Sequence, residues 1–466
     1  MSTIATSHAP RRIFLMVPYP ARDLEGLALV GHRLERLYGH EVLYSNGYGI
    51  ERKLLKLQPD VVGIDHFVWR FKVDQQRMAH RLGMKTLMLP TEGLFQGNEG
   101  VLEVTGANHD ALGELDHYLC WGDFPRRALR STGKMLEDRI EVAGCPRFDF
   151  YHESLRPLAE PRAEFLARFA VPNPDRPLIV WTTNTTYLSR DPEETVRRYV
   201  KKGNYTREQV MEFVLDERQQ FQHHSSIILE LAKRRPDWNI LIKVHPAEWI
   251  SPYEDFIKQS PNLHLAYNWP IRDFLIHCDA LIQRNCTTAT EAWMLNKPVI
   301  QIESDGYRRV ARPEYQNGNH VTETADQTLD AIDAYLRGAA IPDDQAKARR
   351  EFIADFYHQV DGRSHERWAD AIHRLATAPS YSDDDQNRRR ELSARAYEEW
   401  KANEDRRLPN RLKDLLGVDR DHPLRFWKGL RLGKARGTLG KFTPEKETTR
   451  EEVEALYRKF DALKPS

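Results

Sequence analysis

The chain has 466 residues, which is too long for one hydrophobic core and suits two domains with extensions. Lysine plus arginine equals aspartate plus glutamate, at 69 each, so the charge gives no support for nucleic acid as a partner. No stretch reaches about eighteen uninterrupted apolar residues, so no membrane-spanning helix is expected. The N-terminus lacks the long apolar region of a signal peptide, and the four cysteines form no CxxC pair, which favours reduced thiols in a cytoplasmic protein.

Short apolar runs alternate with amphipathic stretches through the first third of the chain, as in a parallel α/β sheet. We predict strands at 12–17, 41–44, 59–65, 85–89, 115–120 and 140–143, and helices at 23–38, 50–57, 75–82 and 125–131. These elements form one Rossmann-like domain over residues 1–152. A polar helix and a Pro/Asn/Asp linker at 155–175 mark the boundary that follows it.

A second alternation follows the linker, with strands predicted at 178–182, 240–244, 263–266, 280–283 and 299–302 and helices at 217–234, 271–277 and 288–295. This alternation defines a second Rossmann-like domain over 176–330. We predict a helical extension over 331–400 and a basic tail over 401–466 after it. Two such α/β domains in tandem are typical of the GT-B architecture, in which the active site lies in a cleft between the domains. Two α/β domains of a binding protein or of another nucleotide enzyme remain the alternative.

The segment 425–441 of the tail carries six basic residues and no acidic ones, with Phe426, Trp427, Leu430 and Leu432 between them. Charge attraction and shallow burial of these apolar groups would dock the segment on an anionic membrane face. The segment also contains several glycines and forms no clean amphipathic helix, so a solvated tail that packs on its own protein stays open.

His245 and Pro246 follow the apolar strand in the segment LIKVHPAEW, residues 241–249. Proline fixes its own φ and restricts its neighbour, so the loop is short and stiff. A histidine held there can donate a hydrogen bond or a proton to a nucleotide phosphate. A capping role through one ring nitrogen is the structural alternative.

The segment QRNCTTATEAWMLNKPVI, residues 283–300, runs from a strand end through hydroxyl residues into a helix. We expect its strand to be the neighbour of the one that precedes His245, so that Thr287 and Thr288 reach the same phosphate. Thr288 and Glu291 also fit a capping box, in which the threonine caps the helix and the glutamate reaches back. Glu291 can instead accept hydrogen bonds from a ribose or a base.

Glu92 precedes a glycine at the exit of a first-domain strand, in PTEGLFQGNEG, residues 90–100. Facing a cleft, it would act as the general base for an acceptor hydroxyl or as a nucleophile. Asp65 and Glu99 are further candidates of this kind. A turn residue that serves solubility is the structural alternative.

Arg147 follows a Gly-Cys-Pro step near the predicted interdomain boundary, and Asn184 lies in the loop after the first strand of the second domain. Arg147 can pair with a phosphate, or it can form an internal bridge with Asp149 or another local carboxylate. Asn184 can hydrogen-bond the donor, or it can satisfy the backbone of its own loop.

Metal and cofactor motifs are absent from the sequence. The adjacent His223 and His224 lie on a predicted helix and do not form an i,i+4 ligand pair. There is no Walker motif, GxSxG elbow or full GxGxxG, and no DxD-like pair at a strand end. We therefore predict no metal site and no cofactor. The missing motifs also argue against a P-loop enzyme, a serine hydrolase and a metal-dependent GT-A enzyme.

Five segments together resemble bacterial surface carbohydrate biosynthesis proteins: LPTEGLF, VAGCPRFD, WTTNTTY, KVHPAEW and IQRNCTTATEAWMLNKPVI, in that order. The chain is similar over residues 12–330 to capsule Kdo-transferases and, more distantly, to bacterial sialyltransferases and polyol-phosphate polymerases of GT-B type. The last segment is the most specific one, and the tail lies outside the resemblance. Thr91 stands where the family often has a second acidic residue, and Thr287 stands where it has a serine.

The resemblance implies a cytoplasmic GT-B glycosyltransferase. Docking of the segment 425–441, which lies outside the resemblance, would in addition make the protein peripheral on the inner membrane face. It would move an acidic sugar, Kdo or a sialic-acid relative, from a CMP-activated donor to a capsule or lipopolysaccharide glycan or glycolipid. Carried over from the family, His245, Thr287 and Thr288 contact the CMP phosphate, and Glu92 works on the acceptor. A CDP-polyol phosphotransferase, a sugar-nucleotide 2-epimerase and a non-catalytic assembly protein of GT-B fold remain open.

Overall fold

The computed structural model describes residues 9–46, 49–67, 70–92, 110–188, 191–200, 205–246, 248–267, 269–284, 286–303, 316–378, 383–406 and 448–463. Its described residues fall into two compact units. The first unit takes the chain up to Leu158 and again from Ile353 onward, and the second takes Ala159–Phe352.

The first unit is built on a sheet of six parallel strands in the order β2-β1-β3-β4-β5-β6. The strands are β1 (Arg12–Met16), β2 (Glu41–Ser45), β3 (Val61–Ile64), β4 (Lys85–Met88), β5 (His117–Cys120) and β6 (Ile140–Val142), and the helices between them are α1 (Pro20–Arg36), α2 (Ile50–Leu57), α3 (Arg70–Arg81) and α4 (Asp123–Ser131). β3 is buried at every position, as expected of a strand covered by helices on both faces. The chain changes direction across the sheet beside β1, between β2 and β3.

The second unit has its own sheet of six parallel strands, in the order β12-β11-β10-β7-β8-β9. Its strands are β7 (Leu178–Thr182), β8 (Asn239–Val244), β9 (Leu263–Tyr267), β10 (Ala280–Gln283), β11 (Val299–Ile302) and β12 (His320–Thr322). Its helices are α5 (Arg162–Ala167), α6 (Pro192–Val200), α7 (Arg207–Arg234), α8 (Ser251–Phe256), α9 (Arg272–His277), α10 (Thr288–Met294) and α11 (Ala325–Leu336), followed by α12 (Asp343–Tyr357).

The chain returns to the first unit through α13 (Ser364–Ala376), α14 (Asp383–Arg406) and α15 (Arg450–Asp461). The indole N–H of Trp368 in α13 donates to the carbonyl of Gly144 at 2.9 Å. The carboxylate of Asp149 accepts from the N–H groups of Ser364 and His365 at the start of the same helix, at 2.9 and 2.7 Å. The C-terminal helices are therefore an integral part of the first unit.

A buried arginine anchors α14 to the segment that precedes β3 in the first sheet. Arg389 donates to the carbonyl of Pro59 at 2.6 Å and forms an ion pair with Asp60, which immediately precedes β3. Both side chains are almost completely buried, at 2% and 0% exposure. Asp60 also accepts from the backbone N–H of Arg12 at 2.7 Å, so this one carboxylate ties together α14 and the amino ends of β1 and β3.

The two sheets confirm the predicted α/β class with two Rossmann-like units. The predicted helix at 217–234 was too short, because α7 begins at Arg207 behind a capping box of Thr206 and Gln209. The sequence interpretation also missed α6, α8 and β12, and the helix predicted within 155–175 is only α5. Within the described residues, none of the helices has both the length and the apolar character needed to cross a bilayer.

Candidate functional site

The second sheet has the strand order of a dinucleotide-binding fold, with a reversal point beside its first strand. After β7, the chain adds β8 and β9 on one side and then β10, β11 and β12 on the other. In such sheets, a crevice opens at the carboxyl ends of the two strands that flank the reversal, and ligands bind there. In this unit those ends are Thr182 in β7 and Gln283 in β10.

The strands that precede His245 and Thr287 are not neighbours, and the prediction that they would be adjacent was wrong. β7 lies between β8 and β10, because it pairs with both. The threonines at its end connect the two sides. Thr183 Oγ1 accepts a hydrogen bond from the backbone N–H of His245 at 3.0 Å, and Thr182 Oγ1 lies 3.1 Å from Thr288 Oγ1. One imidazole-bearing loop and one hydroxyl cluster are thus attached to the same strand end.

The predicted capping box of Thr288 and Glu291 is absent. α10 begins at Thr288, and its N-cap is Thr287, whose side chain makes no capping hydrogen bond. Thr287 has helical φ and ψ of −61° and −16° rather than the extended conformation of a capping threonine. The hydroxyl of Thr288 therefore lies beside Thr182, and Thr290 donates back to the carbonyl of Thr287 at 2.8 Å.

Two buried carboxylates hold the loop that follows β7. Glu248 accepts from the backbone N–H of Thr185 at 2.7 Å, from the Thr185 hydroxyl at 2.9 Å and from the Tyr253 hydroxyl at 2.5 Å. Glu217 in α7 accepts from the backbone N–H of Tyr187. The side chains of the two glutamates are 2% and 6% exposed. The loop 183–188 is therefore fixed by acceptors from two other elements.

Burial raises the pKa of Glu248 and of Glu217, the two glutamates that hold the loop 183–188. The pKa of Glu248 is raised by burial and lowered in part by hydrogen bonds from Tyr253 and Thr185. The pKa of Glu217 is raised well above its ordinary value by burial, and the negative charge of nearby Glu248 raises it further. The two buried carboxylates therefore make the simultaneous ionisation of both members less favourable than that of either one alone.

The remaining predicted residues of the second unit lie close to this strand end in the chain. His245 and Pro246 are half-buried in the loop after β8, and Asn184 is half-buried in the loop after β7. Glu291 lies one turn into α10 and is 6% exposed. The carboxyl edge of the second sheet thus collects an imidazole, several hydroxyls, an amide and a carboxylate.

Glu92 and Arg147 belong to the first unit, where they join one polar network. Arg22 in α1 donates to Glu92 at 2.9 Å and to Asp23 at 2.7 Å. Arg147 lies 3.6 Å from the same Asp23, which is 5% exposed. Arg147 was predicted on the donor side, beside Asn184, but the structure places the two residues in different units.

A second buried pair lies at the carboxyl end of β3, at the reversal point of the first sheet. Lys72 in α3 forms an ion pair with Asp65 at 2.7 Å, and both side chains are nearly inaccessible, at 6% and 1% exposure. Burial raises the pKa of Asp65, but the charges of Lys72 and His66 and the hydrogen bonds to the carboxylate together lower it by more, so the pKa falls below its usual value. Asp65 is therefore an ionised partner of a lysine. Glu99 and the segment 425–441 lie outside the described residues.

Sequence reasoning missed three residues at the carboxyl edge of the second sheet, namely Thr182, Thr183 and Glu248. Thr182 and Thr183 stood in a segment singled out only for Asn184, although a Thr-Thr step at the end of an apolar strand is itself a signal. Glu248 lies three residues after His245, and nothing in its local sequence distinguishes a buried acceptor from a solvated charge. In the part of the chain that the structure describes, no group of three or more metal-binding side chains is found.

The sequence matches no family model and no curated protein. Solved structures share its fold. A putative UDP-N-acetylglucosamine 2-epimerase from Listeria monocytogenes has a TM-score of 0.51 and 15% identity, over 78% of this chain and 96% of that chain. S. aureus MnaA with UDP has a TM-score of 0.50 and 13% identity, over 79% of this chain and 98% of that chain.

The wall teichoic acid polymerase TagF, in a structure with CDPG, has a TM-score of 0.50 and 13% identity. The match covers 78% of this chain and 88% of that one. At such identities the likeness concerns the fold alone. The chain therefore has the two-domain α/β fold of GT-B type that these solved structures share.

Proposed function

We propose that the protein is a glycosyltransferase that moves an acidic sugar, of the Kdo or sialic-acid kind, from a CMP-activated donor to a surface-glycan acceptor. The observation that supports this most is the junction of Thr182, Thr183, His245 and Thr288 at the reversal point of the second sheet. Hydroxyls and an imidazole are the groups that bind and discharge a single phosphate. The resemblance of five segments to capsule Kdo-transferases supports the choice of donor.

The proposed reaction forms a bond between an acceptor oxygen and the anomeric carbon of the donor sugar, and it breaks the bond from that carbon to the CMP phosphate oxygen. Glu92 takes the acceptor proton, or attacks the donor first. His245 donates a proton or a hydrogen bond to the departing phosphate oxygen, and Thr287 and Thr288 hold the other phosphate oxygens. A leaving group with one phosphate does not require a divalent cation for charge neutralisation.

In this proposal, His245, Thr287 and Thr288 act on the donor, and Glu92 acts on the acceptor. Arg22 serves as a positioning residue, because its ion pair with Glu92 fixes the carboxylate. Asn184 and Glu291 are assigned to the ribose or base, where an amide and a carboxylate recognise hydroxyl and amino groups. Arg147 supports the acceptor side through Asp23 rather than touching the nucleotide.

Replacement of His245 by alanine tests this proposal. If His245 is the general acid, turnover of a CMP-sugar falls by about 10²–10⁴-fold while CMP still binds. His80→Ala, at an exposed position of α3, is the matched control and retains normal turnover. Transfer at a near-normal rate by His245→Ala removes the histidine from the mechanism.

A CDP-polyol phosphotransferase is the second candidate, favoured by the fold similarity to TagF with CDPG. It would use the same histidine and hydroxyls but attack phosphorus instead of an anomeric carbon. Separate incubations with CMP-Kdo, CMP-sialic acid and CDP-glycerol distinguish the two candidates. Both reactions release CMP, but a glycosyltransferase releases it only from the CMP-sugars and a polyol phosphotransferase only from CDP-glycerol. Conversion of UDP-N-acetylglucosamine without any acceptor would instead identify an epimerase.

A further inference from the structure

Lys243 is a buried lysine of the second unit, and no counter-ion to it is found among the residues that the structure describes. It is the penultimate residue of β8, and it is 8% exposed. Its ammonium makes no hydrogen bond and no ion pair with any residue that the structure describes, although its backbone carbonyl accepts from the N–H of Thr183 at 3.2 Å. The comparably buried Lys72 of the first unit shows the ordinary arrangement, since its ammonium lies 2.7 Å from the carboxylate of Asp65.

The position of Lys243 on its strand directs it to the hydroxyl cluster. Lys243 is paired with Thr182 in the register of β8 and β7. Side chains of paired residues in adjacent strands project from the same face of a sheet. Thr182 in turn contacts Thr288 at 3.1 Å. Lys243 and both hydroxyls therefore share one face at the carboxyl edge of the sheet.

Nearby acidic groups do not replace a counter-ion. Burial lowers the pKa of Lys243, and the surrounding groups Cys286, Glu248 and Glu291 offset this only in part. Glu248 is already engaged by Thr185 and Tyr253. An ammonium on a mostly buried side chain is costly without an ion-pair partner, and proteins retain one where a partner or a ligand supplies the missing charge.

We infer that Lys243 binds phosphate oxygens of a nucleotide at the reversal point of the second sheet, together with the hydroxyls of Thr182 and Thr288. The choice of a nucleotide as the phosphate carrier rests on the proposed function. The anion-binding role itself rests on burial, strand register and the absence of a partner among the described residues. A lysine ammonium commonly binds phosphate in proteins, because the charge-assisted hydrogen bond to a phosphate oxygen replaces the hydration that the buried ammonium has lost.

This role predicts two opposite effects of one substitution. Lys243→Met keeps the length and the apolar stem of the side chain but removes the charge. The ligand-free protein then melts at a higher temperature than wild type, because no unpaired ammonium has to be buried. Affinity for CMP falls by about 10–100-fold, the range for loss of a charged hydrogen-bond partner. A lysine with a purely structural role would lower the melting temperature when it is removed.

The experiment compares the full-length wild type with Lys243→Met, Lys243→Arg and the control Lys258→Met. Lys258 is a matched lysine of the same unit whose side chain is 73% exposed. Calorimetric titration with CMP and with cytidine isolates the contribution of the phosphate. The inference requires that Lys243→Met weaken CMP binding and leave cytidine binding unchanged. Lys243→Arg should retain part of the CMP affinity, and Lys258→Met should behave as wild type.

Other outcomes separate this inference from the proposed function. If wild type binds UMP or inorganic phosphate rather than CMP, and Lys243→Met abolishes that binding, the phosphate site stands and the CMP donor is wrong. Equal CMP affinity of Lys243→Met and wild type overturns the inference, even if the protein transfers sugar from CMP donors. It is equally overturned if wild type binds no phosphate-bearing probe, or if Lys243→Met melts below wild type.

Discussion

Replacement of Glu248 by alanine should destabilise the second unit and disorganise the loop 183–188. The side chain accepts hydrogen bonds from the Thr185 N–H, the Thr185 hydroxyl and the Tyr253 hydroxyl. The two hydroxyls lie 2.9 Å apart and can bond to each other after the change. One backbone N–H and one hydroxyl proton then remain buried without an acceptor.

Each unsatisfied buried donor costs about 1–3 kcal/mol, so the loss from two donors is about 2–6 kcal/mol. Removal of a buried carboxylate, whose pKa is raised by burial, returns part of this free energy. We therefore expect the free energy of unfolding to fall by about 2–4 kcal/mol at pH 7. Glu248→Gln is the matched control, because its amide oxygen still accepts from Thr185 and its loss should stay below about 1 kcal/mol.

Urea unfolding followed by tryptophan fluorescence measures this difference. Trp181 reports on the region, since its ring lies 6.1 Å from that of Tyr253. A loss below about 1 kcal/mol for the alanine variant would refute the reasoning, as would equal losses for alanine and glutamine. The loop carries Thr183 and Asn184, so nucleotide affinity should decline in the alanine variant and persist in the glutamine variant.

The pH dependence of the same variants adds a sign test. The folded pKa of Glu248 is raised, so the folded protein binds more protons than the unfolded chain between about pH 4.3 and the raised folded value. Stability contributed by this group is thus present below about pH 4.3 and is lost as pH rises through the folded pKa. Glu248→Gln should flatten that part of the profile. An unchanged slope in the glutamine variant would show that another group controls it.

Two further predictions concern the other buried charges. Arg389→Met leaves Asp60 buried without its main partner and should destabilise the first unit by about 3–5 kcal/mol, and a loss under about 1 kcal/mol in urea unfolding would contradict the assigned anchoring role. Burial lowers the pKa of Lys243, so ligand-free stability should rise with pH between the lowered folded pKa and about 10.4, because the unfolded chain binds more protons there. CMP affinity should fall across the same window as the ammonium is lost. Lys243→Met should abolish both slopes, and slopes equal to those of wild type would exclude Lys243 as their source.

The sequence indicated the strands well, because buried parallel strands are short apolar runs bounded by polar or turn residues. β7, β10 and β11 have the predicted bounds. The strand order was not predictable in the same way. The pairing of β7 between β8 and β10 joins segments that are distant in sequence, and local periodicity carries no information about such pairs.

Residues of the candidate site could be singled out in the sequence only where residue type and strand position coincide. His245, Thr287 and Thr288 follow strands and carry polar groups, so they could be singled out. Burial decides the roles of Glu248 and Lys243, and a charged residue in sequence is ordinarily a solvated one. The ion pair between Arg22 and Glu92 joins positions 70 residues apart, and no local pattern marks such a partner.

The discontinuous make-up of the first unit has a consequence for biosynthesis. Its indole–carbonyl contact between Trp368 and Gly144 spans 224 residues, and α15 covers α1 still later in the chain. The second unit is formed by one continuous stretch, Ala159–Phe352, among the described residues. On the ribosome, the second sheet can therefore acquire its full set of neighbours while the first still exposes apolar surface. The part of the first unit that is translated first, up to Leu158, is therefore the segment most in need of chaperone protection. A chain truncated after Phe352 would contain the complete second unit and an incomplete first unit.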